Sequence, residues 1–158
     1  MVGLTREALL EYLQENGYKA DFQKETGQIA LILNIERMQF PMFIRVLPDG
    51  PVLQLVTFFP CNLKKETLSD AARLLHLLNK EIDVPGFGMD ETAHVVFYRV
   101  TIPALNKIVD PLLLRTHLSS VEAICKSYTP VIFNVLQGTI SFEAVLQKAK
   151  DEHSKTTK

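Results

Sequence analysis

The side chains able to do chemistry in this chain are few and scattered. Its four histidines, His76, His94, His117 and His153, could ligate a metal or move a proton near neutral pH. No two of them have the HExxH spacing that puts two imidazoles on one helix face, and no CxxC pair accompanies them, so no metal site is expected. Cys61 and Cys125 form neither a zinc framework nor a dense disulfide scaffold. Cys125 falls in an apolar helical pattern and reads as a small buried hydrophobe. Cys61 follows Pro60 at a strand end, with no histidine or acid implied beside it to activate a thiolate. Asp90 and Glu91 are adjacent, and neighbouring strand residues point to opposite faces, so the pair reads as a solvated turn rather than an acid–base couple. Gly86-Phe87-Gly88 lacks the third glycine and the strand-to-helix setting of a dinucleotide site, and no lysine follows a glycine-rich loop to cradle phosphate. Ser119, Ser120 and Ser141 lack a GxSxG setting. No catalytic residue, metal ligand or cofactor is therefore expected, and the chain reads as non-enzymatic.

The elements that would carry any function belong to a balanced, compact chain. Its 158 residues hold 17 Lys+Arg against 18 Asp+Glu, a net charge of -1. That balance, with Lys64-Lys65 too small a basic run to track phosphates, argues against nucleic acid as a partner. A hydrophobic share of 47% and a charged share of 22% exclude a disordered chain. No apolar run reaches the roughly 18 residues of a membrane span, so no membrane insertion is expected. The start, MVGLTREALLEYLQ, lacks the basic stretch and apolar block of a secretory signal, and a cytoplasmic location is expected. Residues 1–150 read as one α+β domain. Residues 151–158, DEHSKTTK, read as a flexible tail, because nothing apolar anchors them.

Periodicity divides the domain into blocks. A first helix is expected over Arg6 to Asn16, capped by Thr5, with Leu9, Leu10 and Leu13 on one face and Gly17 as its stop. Strands are expected at Tyr18 to Gln23, Gln28 to Ile35, Met38 to Leu47 and Val52 to Phe59. Short turns between them, including Pro48-Asp49-Gly50-Pro51, imply an antiparallel meander of three to four strands. Pro41 should sit at an edge, a bulge or the strand start, since it cannot donate to a ladder. A second helix is expected over Lys65 to Ile82 with a stripe of Leu68, Ala71, Ala72, Leu75, Leu78 and Ile82. A hairpin of Phe87 to Asp90 and Ala93 to Thr101 follows. The C-terminal third is helical, with a kink or split at Pro130, a stop at Gly138 and a last helix capped by Ser141. Strands and helices in blocks indicate α+β with an antiparallel sheet flanked by helices.

Apolar residues fall on both faces of that sheet. Val52, Val56 and Phe58 share one face of their strand, while Leu53, Leu55 and Phe59 share the other. The preceding strand sets Phe40, Met42, Ile44 and Val46 against Phe43 and Leu47. A sheet with one wet face should alternate apolar and polar residues, so both faces here call for cover, and a contiguous uncovered patch marks a partner surface. A homodimer or a protein client is expected. The alternative is a small-ligand binder with a cavity between the sheet and the kinked C-terminal helix.

Three segments carry a family resemblance: AARLLHLLNKEI (Ala71 to Ile82), GFGMDETAHVVFYRVTIP (Gly86 to Pro103) and YTPVIFNVLQG (Tyr128 to Gly138). With the order helix, meander, helix, hairpin, helix, they resemble the YbjN-like family, and the element order resembles the type III secretion chaperone fold. The resemblance implies a cytoplasmic protein-binding module, chaperone-like or regulatory, with a protein client or regulatory partner. It implies dimerisation through the second helix, with Leu74 and Leu77 as the dimer contacts. It also implies client contacts at Phe43, Leu47, Leu53 and Leu55 on apolar grooves and sheet edges.

Overall fold

The computed structural model describes residues 1–48 and 50–156; Asp49 of the expected turn and residues 157 and 158 of the expected tail lie outside the described residues. The fold is α+β, with antiparallel sheets and α-helices. The chain divides into two compact units, Met1–Pro60 with Phe97–Lys126, and Cys61–Val96 with Ser127–Lys158.

In the first unit a two-residue strand β1 (Val2–Gly3) leads to helix α1 (Arg6–Glu15). The Thr5 hydroxyl accepts from the Ala8 backbone N–H at 3.2 Å, and Gly17 adopts φ +85, the left-handed stop that a side chain would resist. The meander is β2 (Asp21–Gln23), β3 (Gln28–Ile35), β4 (Met38–Val46) and β5 (Val52–Phe58). The strand β7 (Val95–Pro103) pairs antiparallel with β5, giving the order β2-β3-β4-β5-β7. A short β8 (Ile108–Val109) pairs with β1 and was not expected from periodicity, because two residues carry none. Helix α3 starts at Pro111, a position that suits a residue without an N–H. The Asp110 carboxylate caps it by accepting from the Leu112 and Leu113 N–H groups.

One face of this sheet is core. Ile29, Leu31 and Leu33 of β3, Phe40, Met42 and Ile44 of β4, and Tyr98, Val100 and Ile102 of β7 alternate inward and are buried. Leu9 and Leu13 of α1 and Leu114, Leu118, Val121 and Cys125 of α3 complete the core. Thr57 points the same way, paired across strands with Met42 and Tyr98. Its hydroxyl is fully buried and finds no hydrogen-bond partner among the described residues. A buried, unpaired hydroxyl loses its water for nothing in return. Thr57→Val, which keeps the shape, is expected to raise stability by about 1 kcal/mol. Urea unfolding followed by far-ultraviolet circular dichroism reads it, and a fall in the midpoint contradicts it.

Pro41 lies in β4, between β3 and β5, rather than in an edge strand. It pairs with Ile32 on the β3 side, while the β4–β5 ladder begins one residue later at Met42↔Thr57. The ladder that β5 offers thus starts just past the residue that could not donate to it.

In the second unit helix α2 (Leu68–Glu81) follows a single 3₁₀ turn at Lys65–Thr67. Its buried stripe is Ala71, Leu74, Leu75 and Leu78, while Ala72 is exposed. At about 100° per residue Leu74 lies about 60° from Ala71 around the helix and Ala72 about 100°, so Leu74 belongs to the stripe. The strand β6 (Phe87–Asp90) and the start of β7 form the hairpin. The Asp90 carboxylate accepts from the Thr92 and Ala93 N–H groups, which shapes the turn. Helix α3 runs without interruption to Gln137, Pro130 included. Pro130 is exposed, as is Lys126, whose carbonyl loses its helical donor to the proline ring, and the helix continues past both. Gly138 ends α3 at φ +76, with Gly138 N–H on the Val135 carbonyl and Thr139 N–H on that of Asn134. Helix α4 (Phe142–Thr156) is capped by Ser141, whose hydroxyl accepts from Ala144 N–H, so residues 151–156 are helical. Arg73 of α2 pairs with Glu143 of α4 and lies 4.2 Å from the centre of the Phe142 ring. The Arg73 hydrogen bond holds the Glu143 carboxyl below its ordinary range.

Candidate functional site

The second face of the first unit's sheet carries apolar side chains that are only partly covered. Register fixes its rows. Asp21, Ala30, Phe43, Val56 and Arg99 lie across β2, β3, β4, β5 and β7 in one row. Ile32 and Pro41 lie side by side in the next, and Phe58 lies opposite Phe97. Arg45, Gln54 and Thr101 form a row on the other side.

The aromatic rings of this face touch in sequence. Phe43 and Phe58 meet edge to face at 5.8 Å between centroids, and Phe58 and Phe97 at 6.3 Å. These contacts hold the rings in fixed positions. Phe43, Val56, Phe58 and Phe97 are half-buried, and Ile32 is 46% exposed. β-branched and aromatic residues in neighbouring strands thus form a continuous apolar patch, with polar residues at its margins.

The expected client contacts separate on this geometry. Phe43 is on the open face. Leu53 and Leu55 are on the other, each 0% exposed. Val56, not Leu55, is the partner of Phe43, while Leu55 pairs with Ile44 in the core. Leu47 lies past the end of β4, in a groove of about 450 Å³ that Leu4, Val46, Pro48, Pro51 and Lys107 also line. Of the two expected dimer contacts, Leu74 is 0% exposed in the core of the second unit and Leu77 is half-buried. The structure therefore does not bring Leu74 to a surface. Ile32, Val56, Phe58 and Phe97 are the open-face residues that the strand-by-strand reading did not gather. The signal for them is the register itself, obtainable by counting outward from the turn between β4 and β5.

A model of one protein family matches residues 5–134, described as "putative bacterial sensory transduction regulator" with the family name YbjN. The chain belongs to the YbjN family. Among solved structures, it is similar to the crystal structure of YbjN, "a putative transcription regulator from E. coli", with a TM-score of 0.58 and 11% sequence identity over 94% of this chain and 96% of that one. At that identity the likeness is one of fold. No curated protein matches the chain.

Burial dominates the shifted titratable groups in the interior of this YbjN-family chain. Burial pushes the Cys125 thiol up to about 12, with Glu122 adding to the effect, and burial pushes Cys61 up to about 11. Both thiols are protonated at neutral pH and are poor nucleophiles. Burial raises Tyr18 to about 12, helped by Glu122, which accepts its hydroxyl at 3.2 Å. Among the described residues no three His, Cys, Asp or Glu side chains converge as metal ligands. No helix among them is long and apolar enough to cross a membrane.

Proposed function

We propose that the chain is a non-enzymatic regulatory module that binds another protein through the open face of the β2-β3-β4-β5-β7 sheet. The observation that carries this reading is the patch of Ile32, Phe43, Val56, Phe58 and Phe97, apolar and unpartnered on a face that register makes continuous. The family's description as sensory transduction regulators and the naming of E. coli YbjN as a transcription regulator support a regulatory task. The module acts in the cytoplasm and holds its client as a chaperone-like protein would. Where it self-associates through α2, Leu77 makes the contact, because Leu74 is committed to the core.

A photoreactive amino acid placed at Ile32 or at Phe58 in living cells tests the reading. Both positions are expected to cross-link to a partner of one defined mass, and the same residue placed at exposed Lys150 on α4 is not. Phe43→Asp is expected to cut the yield by about tenfold, the loss of one well-packed aromatic anchor. Equal yields from all three positions overturn the reading.

A further inference from the structure

The open face carries charge as well as apolar surface, and beside its aromatic rings that charge is positive. Arg45 lies in the row with Gln54 and Thr101, and Arg99 in the row with Phe43 and Val56. The Arg45 Nε donates to Gln54 Oε1 at 2.9 Å, and the Arg99 guanidinium lies 5.6 Å from the centre of the Phe97 ring. Both side chains are exposed, and no carboxylate among the described residues pairs with either. A neutral amide and a ring thus hold two guanidinium groups in place while most of their N–H donors remain unused. Asp21 ends the Phe43 row four strands from Arg99 on β7, and its Oδ1 accepts from the Phe22 N–H at 2.7 Å.

Resting on the protein-binding reading of this face, we infer that its occupant is an amphipathic helix of a partner protein, with carboxylates beside the apolar stripe. What is open is a sheet face, and a helix is the element that covers such a face, whereas an added strand needs an edge. Arg45 and Arg99 are two strands and two residues apart, roughly 12 Å at spacings of about 4.8 Å and 3.4 Å. On a helix, residues seven or eight apart share a face and stand roughly 10–12 Å apart. Two acidic residues at that interval reach both arginines while the leucine-type residues between them meet Phe43, Val56 and Phe58. A single-stranded nucleic acid fits less well. The chain's net charge is -1, and the rings pack edge to face with one another instead of lying flat for bases to stack on.

Fluorescence anisotropy with the full chain tests this. Three labelled helix-forming peptides of about 18 residues, long enough to be helical, share one leucine stripe and carry Glu, Gln or Lys at two positions seven apart. A short thymidine oligonucleotide is the fourth probe. The Glu peptide is expected to bind about tenfold tighter than the Gln peptide, the scale of two exposed ion pairs, and the Lys peptide weakest. The preference is expected to vanish in the double variant Arg45→Ala, Arg99→Ala, whose circular dichroism should match that of the parent, and in about 1 M salt. Equal binding of the Glu and Gln peptides, lost in Ile32→Asp, overturns the charge inference and leaves the face as a protein-binding surface. Failure of every peptide overturns the inference, and the cross-linking experiment then decides the face reading by itself. Tighter binding of the oligonucleotide than of the Glu peptide overturns both.

Discussion

Leu55→Ala is expected to destabilise the chain by about 2–5 kcal/mol, while Val56→Ala, one position along the same strand, costs about 1 kcal/mol or less. The two residues are neighbours in sequence and opposites in environment. Leu55 is fully buried between Ile44 of β4 and Val100 of β7, both also buried. Removing its isobutyl group leaves a cavity that a packed sheet cannot close, and the cost is lost transfer energy plus lost contacts. Val56 has Phe43 and Arg99 as its cross-strand partners on the open face, where water already reaches and fills what truncation leaves. Urea unfolding read by far-ultraviolet circular dichroism measures both, since the chain has no tryptophan to report by fluorescence. Equal losses at the two positions contradict the assignment of faces on which the protein-binding reading stands. In the cross-linking assay the order reverses: Val56→Ala lowers partner capture, and Leu55→Ala leaves it intact wherever the chain remains folded.

How far the sequence alone reaches can be followed along particular residues. The Thr5 and Ser141 caps and the Gly17 and Gly138 stops are local events, decided within four or five residues, and local pattern places them correctly. The strand at Gln28–Ile35 and the α+β class are legible for the same reason: alternation and block order are written in the chain. Register is less local. Alternation within β4 and within β5 says which residues of each strand go together, and only the pairing Phe43↔Val56 joins the two sets across the gap. Without it, Phe43 cannot be assigned to the face of Val56 rather than to that of Leu55, and a slip of one residue exchanges core for surface. Leu74 shows a different limit. A helix wheel gives a stripe its width only once the neighbouring element is known, and Leu74 lies at a margin that the fold buries. Pro130 is legible as a residue that removes a hydrogen bond, but the loss of one bond does not by itself say whether the helix breaks, and α3 continues through it to Gln137. The arginines of the open face give no periodic signal at all; their place beside Gln54 and Phe97 emerges from cross-strand geometry.

Asn79→Ala is expected to destabilise the second unit by about 2–3 kcal/mol, a large effect for a half-buried polar residue near a helix end. Nothing in the spacing around Asn79 announces it. Its amide side chain behaves as a backbone neighbour would. Oδ1 accepts from the Gly86 N–H at 3.0 Å and the Phe87 N–H at 2.9 Å, and Nδ2 donates to the Phe87 carbonyl at 2.9 Å. One side chain on α2 thereby fixes the entry into β6 and sets the Phe87 ring, which is buried, edge to face against Tyr128 at 5.6 Å. Alanine removes all three bonds and frees the loop through Pro85 and Gly86, whose ordering costs entropy that those bonds offset. Asn79→Asp separates the parts: the carboxylate still accepts from both N–H groups but turns an acceptor toward the Phe87 carbonyl, so its loss should be close to that of alanine rather than a third of it. Hydrogen exchange is the local readout. The Gly86 and Phe87 amides are expected to exchange at least tenfold faster in Asn79→Ala while amides in the middle of α2, such as that of Leu75, hold their protection, a tenfold change being about 1.4 kcal/mol of opening free energy. Unchanged exchange at Gly86 and Phe87 would show that the turn into β6 is held by its own backbone and that Asn79 follows the loop instead of positioning it.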